Sequence, residues 1–181
     1  MRLRDRGFTG DYGMSKISTE HWWGIPIFPK ELYQFTNNPD DPLTYRAFNG
    51  TLYRTGTSFQ TDKGSVPPFI RIFIRPSAYE RSYAFHDYGY KHGGFFQSRG
   101  GVDAGYVFVP MSRLEVDRLL REMILNSKGC WAAAEAVYLG VHAGAGRAWR
   151  DYRAGEVAAG KPIGATVPVD AAAKHDTAHV M

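Results

Sequence analysis

The sequence predicts an α+β fold: a small antiparallel sheet or hairpin packed on about three helices, with extended arms at both ends. Three observations predict it. Two runs rich in aromatic and β-branched residues, 43–48 and 51–55, flank Asn49-Gly50, a pair that suits the tight turn of a hairpin. Ser77–x–x–Glu80 and Ser112–x–x–Glu115 each read as a capping box opening a helix. A third helical stretch, 128–144, is apolar most of the way round through Trp131, the alanines 132–134, Val137, Tyr138 and Val141, as expected of a helix packed on several sides.

A chain of 181 residues with a 44% hydrophobic fraction is long enough to bury one real core. We divide it into an N-terminal arm (1–24), a globular α+β domain (25–152) and a low-complexity tail (153–181). The arm mixes charges and glycines and holds Trp22-Trp23, and the tail is mostly Ala, Gly, Val and Pro, a composition too poor in bulky apolar groups to fold alone. Net charge is +4 with no dominant basic run, so there is no specific nucleic-acid signal. The single cysteine, Cys130, excludes an intrachain disulfide and a cysteine-based zinc site. The charged start is not followed by the apolar core of a signal peptide, and the longest apolar run, 130–141, is short and interrupted by Glu135. A cytoplasmic chain without a membrane span is expected.

Along the chain, 25–35 alternates loosely and predicts a strand broken by prolines. Residues 37–42 are a loop by composition, the hairpin follows, and 57–61 continues as a third strand. The turn 62–65 places Asp62 where a strand hands over to a loop, either as a functional carboxylate or capping its own turn with Ser65. From the Ser77 box a helix is expected over about 78–92, stopped by Gly93-Gly94. The glycine-rich 93–110 predicts a lid or a small hairpin. From the Ser112 box the next helix runs to about 127, with Val116, Leu119, Leu120, Met123 and Ile124 inward.

The chemistry concentrates on the helix over 78–92. Tyr79, Tyr83, His86 and Tyr90 share one stripe, and Asp87 lies a residue round from it. There His86 can take a proton from water, and Asp87 can hold a metal or a second water. Asp117 falls at the edge of the next helix's apolar face, where a carboxylate needs a partner. His86 is the preferred partner, with Arg113 or Arg121 as the alternative. Glu135, Tyr138 and His142 form a further stripe, read as a satisfied buried network.

The segments 59–67, 86–90 and 112–117 together resemble a phage and bacterial family known as a domain of unknown function. Its motifs are Phe-x-Thr-Asp-x-x-Ser-Val-Pro, His-Asp-x-x-Tyr and Ser-Arg-x-x-x-Asp. The resemblance covers about 43–150 and implies a phage or prophage origin. More weakly, His86-Asp87-x-x-Tyr90 with a later helical Asp117 resembles the active-site helix pair of the secreted calcium-dependent phospholipases. That resemblance implies His86 as general base, Asp87 as calcium ligand, Asp117 orienting His86, and Tyr90 bonded to Asp117.

Two functions follow as expectations. One is a virion protein of the tail or head–tail region, made in the host cytoplasm, whose arms bind other virion proteins or further copies of the chain. The other is a metal-dependent hydrolase of a lipid or cell-envelope ester or amide. Its catalytic residues would be His86, Asp117 and Tyr90, and Asp62 and Asp87 would hold a calcium or zinc ion.

Overall fold

A computed structural model describes residues 7–21, 29–38, 40–61, 79–98, 105–127 and 129–158. Asn49-Gly50 forms the predicted bend. Strands β4 (Thr44–Arg46) and β5 (Leu52–Arg54) pair antiparallel, with Tyr45 opposite Tyr53. Gly50 takes φ 85°, its amide donates to the Ala47 carbonyl, and Asn49 Oδ1 accepts from the Thr51 amide. This left-handed geometry is the one that favours glycine.

The hairpin is the middle of a five-stranded antiparallel sheet. On one side lies β1 (Phe8–Thr9); on the other lie β7 (Gly94–Ser98) and β8 (Val107–Pro110), in the order β1-β4-β5-β7-β8. The 93–110 connection is therefore a hairpin, one of its two expected forms. A second antiparallel sheet joins β2 (Tyr12–His21), β3 (Pro29–Asn37) and β6 (Ser58–Thr61) in that order. Strand β2 lies within the stretch assigned to the arm, and β3 is the strand expected over 25–35, beginning at Pro29 and running on to Asn37. Strand β6 is the expected third strand, but it pairs with β3 and not with the β4–β5 hairpin. Asn37 is the reason. Its buried side chain donates to Thr55 Oγ1 (3.0 Å) and the Gly56 carbonyl (2.9 Å) and accepts from the Leu43 amide (3.1 Å). These bonds hold the chain where it leaves one sheet for the other.

The described residues form four helices, one more than expected: α1 (Glu80–His92), α2 (Arg113–Asn126), α3 (Trp131–Gly144) and α4 (Gly146–Ala158). Helix α1 stops at Gly93, in left-handed conformation at φ 69°. The first capping box would open it through Ser77. Tyr79 stands at the cap without a side-chain hydrogen bond, and Ser77 lies outside the described residues. The second box forms in full: the Ser112 amide donates to Glu115 Oε2 (2.7 Å) and the Glu115 amide to Ser112 Oγ (3.3 Å). Helix α4 passes the expected start of the tail. It buries little, with Glu156 its one buried residue, so it carries no apolar period to betray it.

Helix α1 lies between the sheets. Phe85 packs edge-on to Phe8 (5.4 Å between centroids) and stacks on Phe95 (5.8 Å), both from the larger sheet. Tyr88 meets Phe59 of the smaller sheet edge-on at 5.1 Å. Gly89 lies where α1 crosses α2 and β7. A Cβ there would come within 2.6 Å of the Phe95 ring and 2.8 Å of Val116.

His92 ends α1 against the Tyr88 ring, at 4.3 Å between centroids. Burial, with the nearby charges of Lys91 and Arg153, lowers its pKa from 6.5 to about 4. Between these values the unfolded chain takes up a proton that the folded chain refuses. Stability present above pH 6.5 is therefore lost as pH falls through that window to about 4. Urea unfolding of wild type and His92→Asn at pH 7, 5.5 and 4 checks this, and the variant should lose the part of the slope that lies above pH 4.

Candidate functional site

The site is built where α1 packs on α2. His86 and Tyr90 lie one turn apart on α1 and face the buried side of α2. Val116, Leu119, Leu120, Met123 and Ile124 bury that side and carry Asp117 inside with them, at 0% exposure. The carboxylate expected at the margin of the apolar face thus lies wholly within it.

Asp117 Oδ1 takes two bonds. His86 Nε2 lies 3.1 Å away, and the Tyr90 hydroxyl donates at 2.6 Å. Burial alone would raise the pKa of the Asp117 carboxyl. The bonds from His86 and Tyr90, and the charges of His86 and Arg113, outweigh it and hold the pKa below the ordinary carboxylate value. An ionised acceptor makes His86 Nε2 the donor, and in the neutral ring the lone pair then lies on Nδ1. Burial, then the bond to Asp117, pushes the Tyr90 phenol up, so it stays protonated and donating. The Tyr90 ring packs 4.3 Å from His86 and edge-on to Trp149 of α4 at 5.2 Å.

The second carboxylate oxygen is also buried and faces Arg113 and His142. Arg113 Nη1 lies 3.8 Å from Oδ2 and His142 Nδ1 lies 3.5 Å from it. Of the two arginines expected as alternative partners of Asp117, Arg113 stands beside it and Arg121 pairs with Glu135. The Glu135, Tyr138 and His142 stripe is accordingly divided. Glu135 serves Arg121, while Tyr138 stacks on His142 at 5.6 Å and His142 turns to Asp117.

Asp87 makes its contact elsewhere. It accepts from the Thr61 hydroxyl of β6, and neighbouring Lys91 donates to the Gln60 carbonyl of the same strand. His86 therefore serves the α2 side of the helix and Asp87 the β6 side. Asp62, which follows Thr61 in sequence, lies outside the described residues. Among the described residues, no group of three or more His, Cys, Asp or Glu side chains is placed to hold a metal ion. A carboxylate beside a hydroxyl is an oxygen-only pair of the kind calcium takes, but calcium takes about six to eight such donors.

Sequence reasoning missed three contributors. Trp149 and Arg153 come from α4, and Arg153 Nη2 donates to the carbonyls of Tyr90 (3.0 Å) and Lys91 (2.6 Å) at the end of α1. A cation suits that end of the helix. His142 was read only within its own helix. The spacing of Arg113 four residues before Asp117 was the one local signal for the Oδ2 side.

The fold and site together define an α+β domain whose helices enclose an aspartate bonded to a histidine and a tyrosine. The profile of the family described as "Protein of unknown function (DUF1353)" matches residues 40–141. The chain belongs to that family. The matched region takes in β4 through α3 up to Val141, with His86, Tyr90 and Asp117 inside it, and leaves out β1, β2, β3 and α4. No curated protein and no solved structure matches the chain. No helix among the described residues is long and apolar enough to cross a membrane.

Proposed function

We propose that the chain is a hydrolase of a lipid or cell-envelope ester or amide, with His86 as general base. The observation that carries this is the seating of Asp117 Oδ1 between His86 Nε2 and the Tyr90 hydroxyl. It sets the imidazole in one tautomer, with Nδ1 free to accept a proton. As water attacks the carbonyl carbon, Nδ1 takes its proton. The imidazolium then returns the proton to the leaving alcohol or amine as the C–O or C–N bond breaks. Asp117, buried behind the imidazole, remains ionised and offsets the imidazolium charge. Tyr90 holds the carboxylate in place. A divalent cation held by Asp87, with Asp62 as the next donor, would polarise the substrate carbonyl.

The test is a screen of ester, phospholipid-vesicle and peptidoglycan-fragment hydrolysis, with and without added calcium or zinc. We expect His86→Ala to lower turnover by roughly 10²–10⁴-fold. Equal activity in wild type and variant would reject the assignment, as would inertness of wild type towards all three substrate classes.

The virion reading has one observation of its own. Beyond its pairing with β6, which ends at Tyr33↔Thr61, the β2–β3 ribbon continues as two strands from Ser18↔Leu32 to His21↔Pro29. Among the described residues no further strand covers it there, and Ile17 beside it is 48% exposed. Such a ribbon is a ready site for strand pairing with a neighbouring subunit. In this reading the chain is made in the host cytoplasm and assembled in the tail or head–tail region of a phage. Limited proteolysis of free protein and of purified particles tests it. Protection of the ribbon in particles supports it; equal cleavage in both counts against it.

A further inference from the structure

Asp117 Oδ2 is the one oxygen of the site left without a hydrogen bond among the described residues, although its residue is completely buried. A buried carboxylate oxygen without a donor is costly. Two groups stand just outside bonding distance, His142 Nδ1 at 3.5 Å and Arg113 Nη1 at 3.8 Å. They differ in freedom. Arg113 Nη1 gives one of its two N–H groups to the His142 carbonyl at 2.8 Å, which fastens α3 to the start of α2 and holds the guanidinium 3.8 Å from Oδ2. His142 has a side chain 42% exposed and stacked on Tyr138, so its ring can turn without disturbing the core.

We infer that His142 is a positioning residue of the hydrolytic site: it donates from Nδ1 to Asp117 Oδ2, so that one carboxylate holds two histidines in opposite tautomers. The inference rests on the general-base reading of His86. His86 carries its proton on Nε2 and offers Nδ1 to the reaction; His142 carries its proton on Nδ1. With both oxygens bonded, the carboxylate plane is set by three helices at once, α1 through His86 and Tyr90, α2 through its own backbone, and α3 through His142. His142 also draws negative charge off Asp117 and so moderates the bond to His86. The groups facing His142 are Asp117 and Arg113 from α2 and Tyr138 from its own helix.

Long-range proton–nitrogen NMR of the whole chain at pH 8 reads the two tautomers directly. We expect His142 as the Nδ1–H form, against the Nε2–H preference of a free imidazole, and His86 as the Nε2–H form. In His142→Ala the Nε2 proton of His86 should move downfield as Asp117 concentrates its charge there. His142→Asn, whose amide can donate from near the Nδ1 position, should restore the wild-type resonance. An Nε2–H form of His142 overturns the inference, and so does a His86 resonance unmoved in His142→Ala. A His86 found as the Nδ1–H form would instead overturn the general-base reading, so the two failures are distinguishable.

Discussion

Asp117→Asn should leave the fold in place and abolish hydrolysis, with turnover falling by about 10⁴-fold, the scale seen when the carboxylate orienting a catalytic histidine is made an amide. The cause is local. An amide cannot serve as the same charged acceptor to His86 Nε2 at 3.1 Å and the Tyr90 hydroxyl at 2.6 Å, so the imidazole is no longer held with its lone pair on Nδ1. Asp117→Ala goes further. It leaves His86 and Tyr90, both buried, without their shared acceptor, and removing one partner of a buried pair costs about 3–5 kcal/mol. Chemical denaturation of the two variants separates chemistry from stability: the Asn variant should lose activity far out of proportion to stability, and the Ala variant should lose both. An Asn variant as active as wild type would remove Asp117 from the mechanism. The carboxyl also ties stability to acid. Its folded pKa is depressed, so its contribution is complete above the unfolded value of about 3.9 and is lost as pH falls through the lower folded one.

Phe85→Ala should be the most damaging substitution away from the site. Phe85 is at 0% exposure on α1 and packs on Phe8 of the edge strand β1 and Phe95 of β7, three strands away in the larger sheet. Truncating a fully buried phenylalanine costs about 3–5 kcal/mol through lost transfer energy and the cavity left behind. In a chain of this size that lowers Tm by roughly 6–20 °C. Phe48→Ala is the control, because Phe48 is 68% exposed at the hairpin bend, and surface truncations fall within about 0.5 kcal/mol. Thermal unfolding followed by circular dichroism compares the three proteins. Equal losses in Phe85→Ala and Phe48→Ala would mean that α1 is not held between the sheets as described.

The features that could be read in advance are those set by short-range sterics and hydrogen bonding. Asn49-Gly50 makes its bend because glycine bears a left-handed φ without strain. Ser112 and Glu115 bond each other because a helix start leaves its amides unpaired. Gly93 ends α1 for the same steric reason as Gly50. The four-residue spacing of His86 and Tyr90 is likewise local, and it alone ensures that an acceptor met by one is within reach of the other.

Packing decided the rest, because it depends on which faces meet and no local period records that. His86 and Asp117 are 31 residues apart, and Arg153 reaches Tyr90 across 63. The pairing of β6 with β3 depends on one buried asparagine holding two distant loops. Helix α4 has little apolar face of its own, and it matters through what it sets against α1: the Trp149 ring on Tyr90 and the Arg153 guanidinium on the last carbonyls of that helix. Asp117 reads in sequence as a marginal carboxylate. It becomes fully buried only because α1 and α3 close over both of its oxygens with groups that can share its charge.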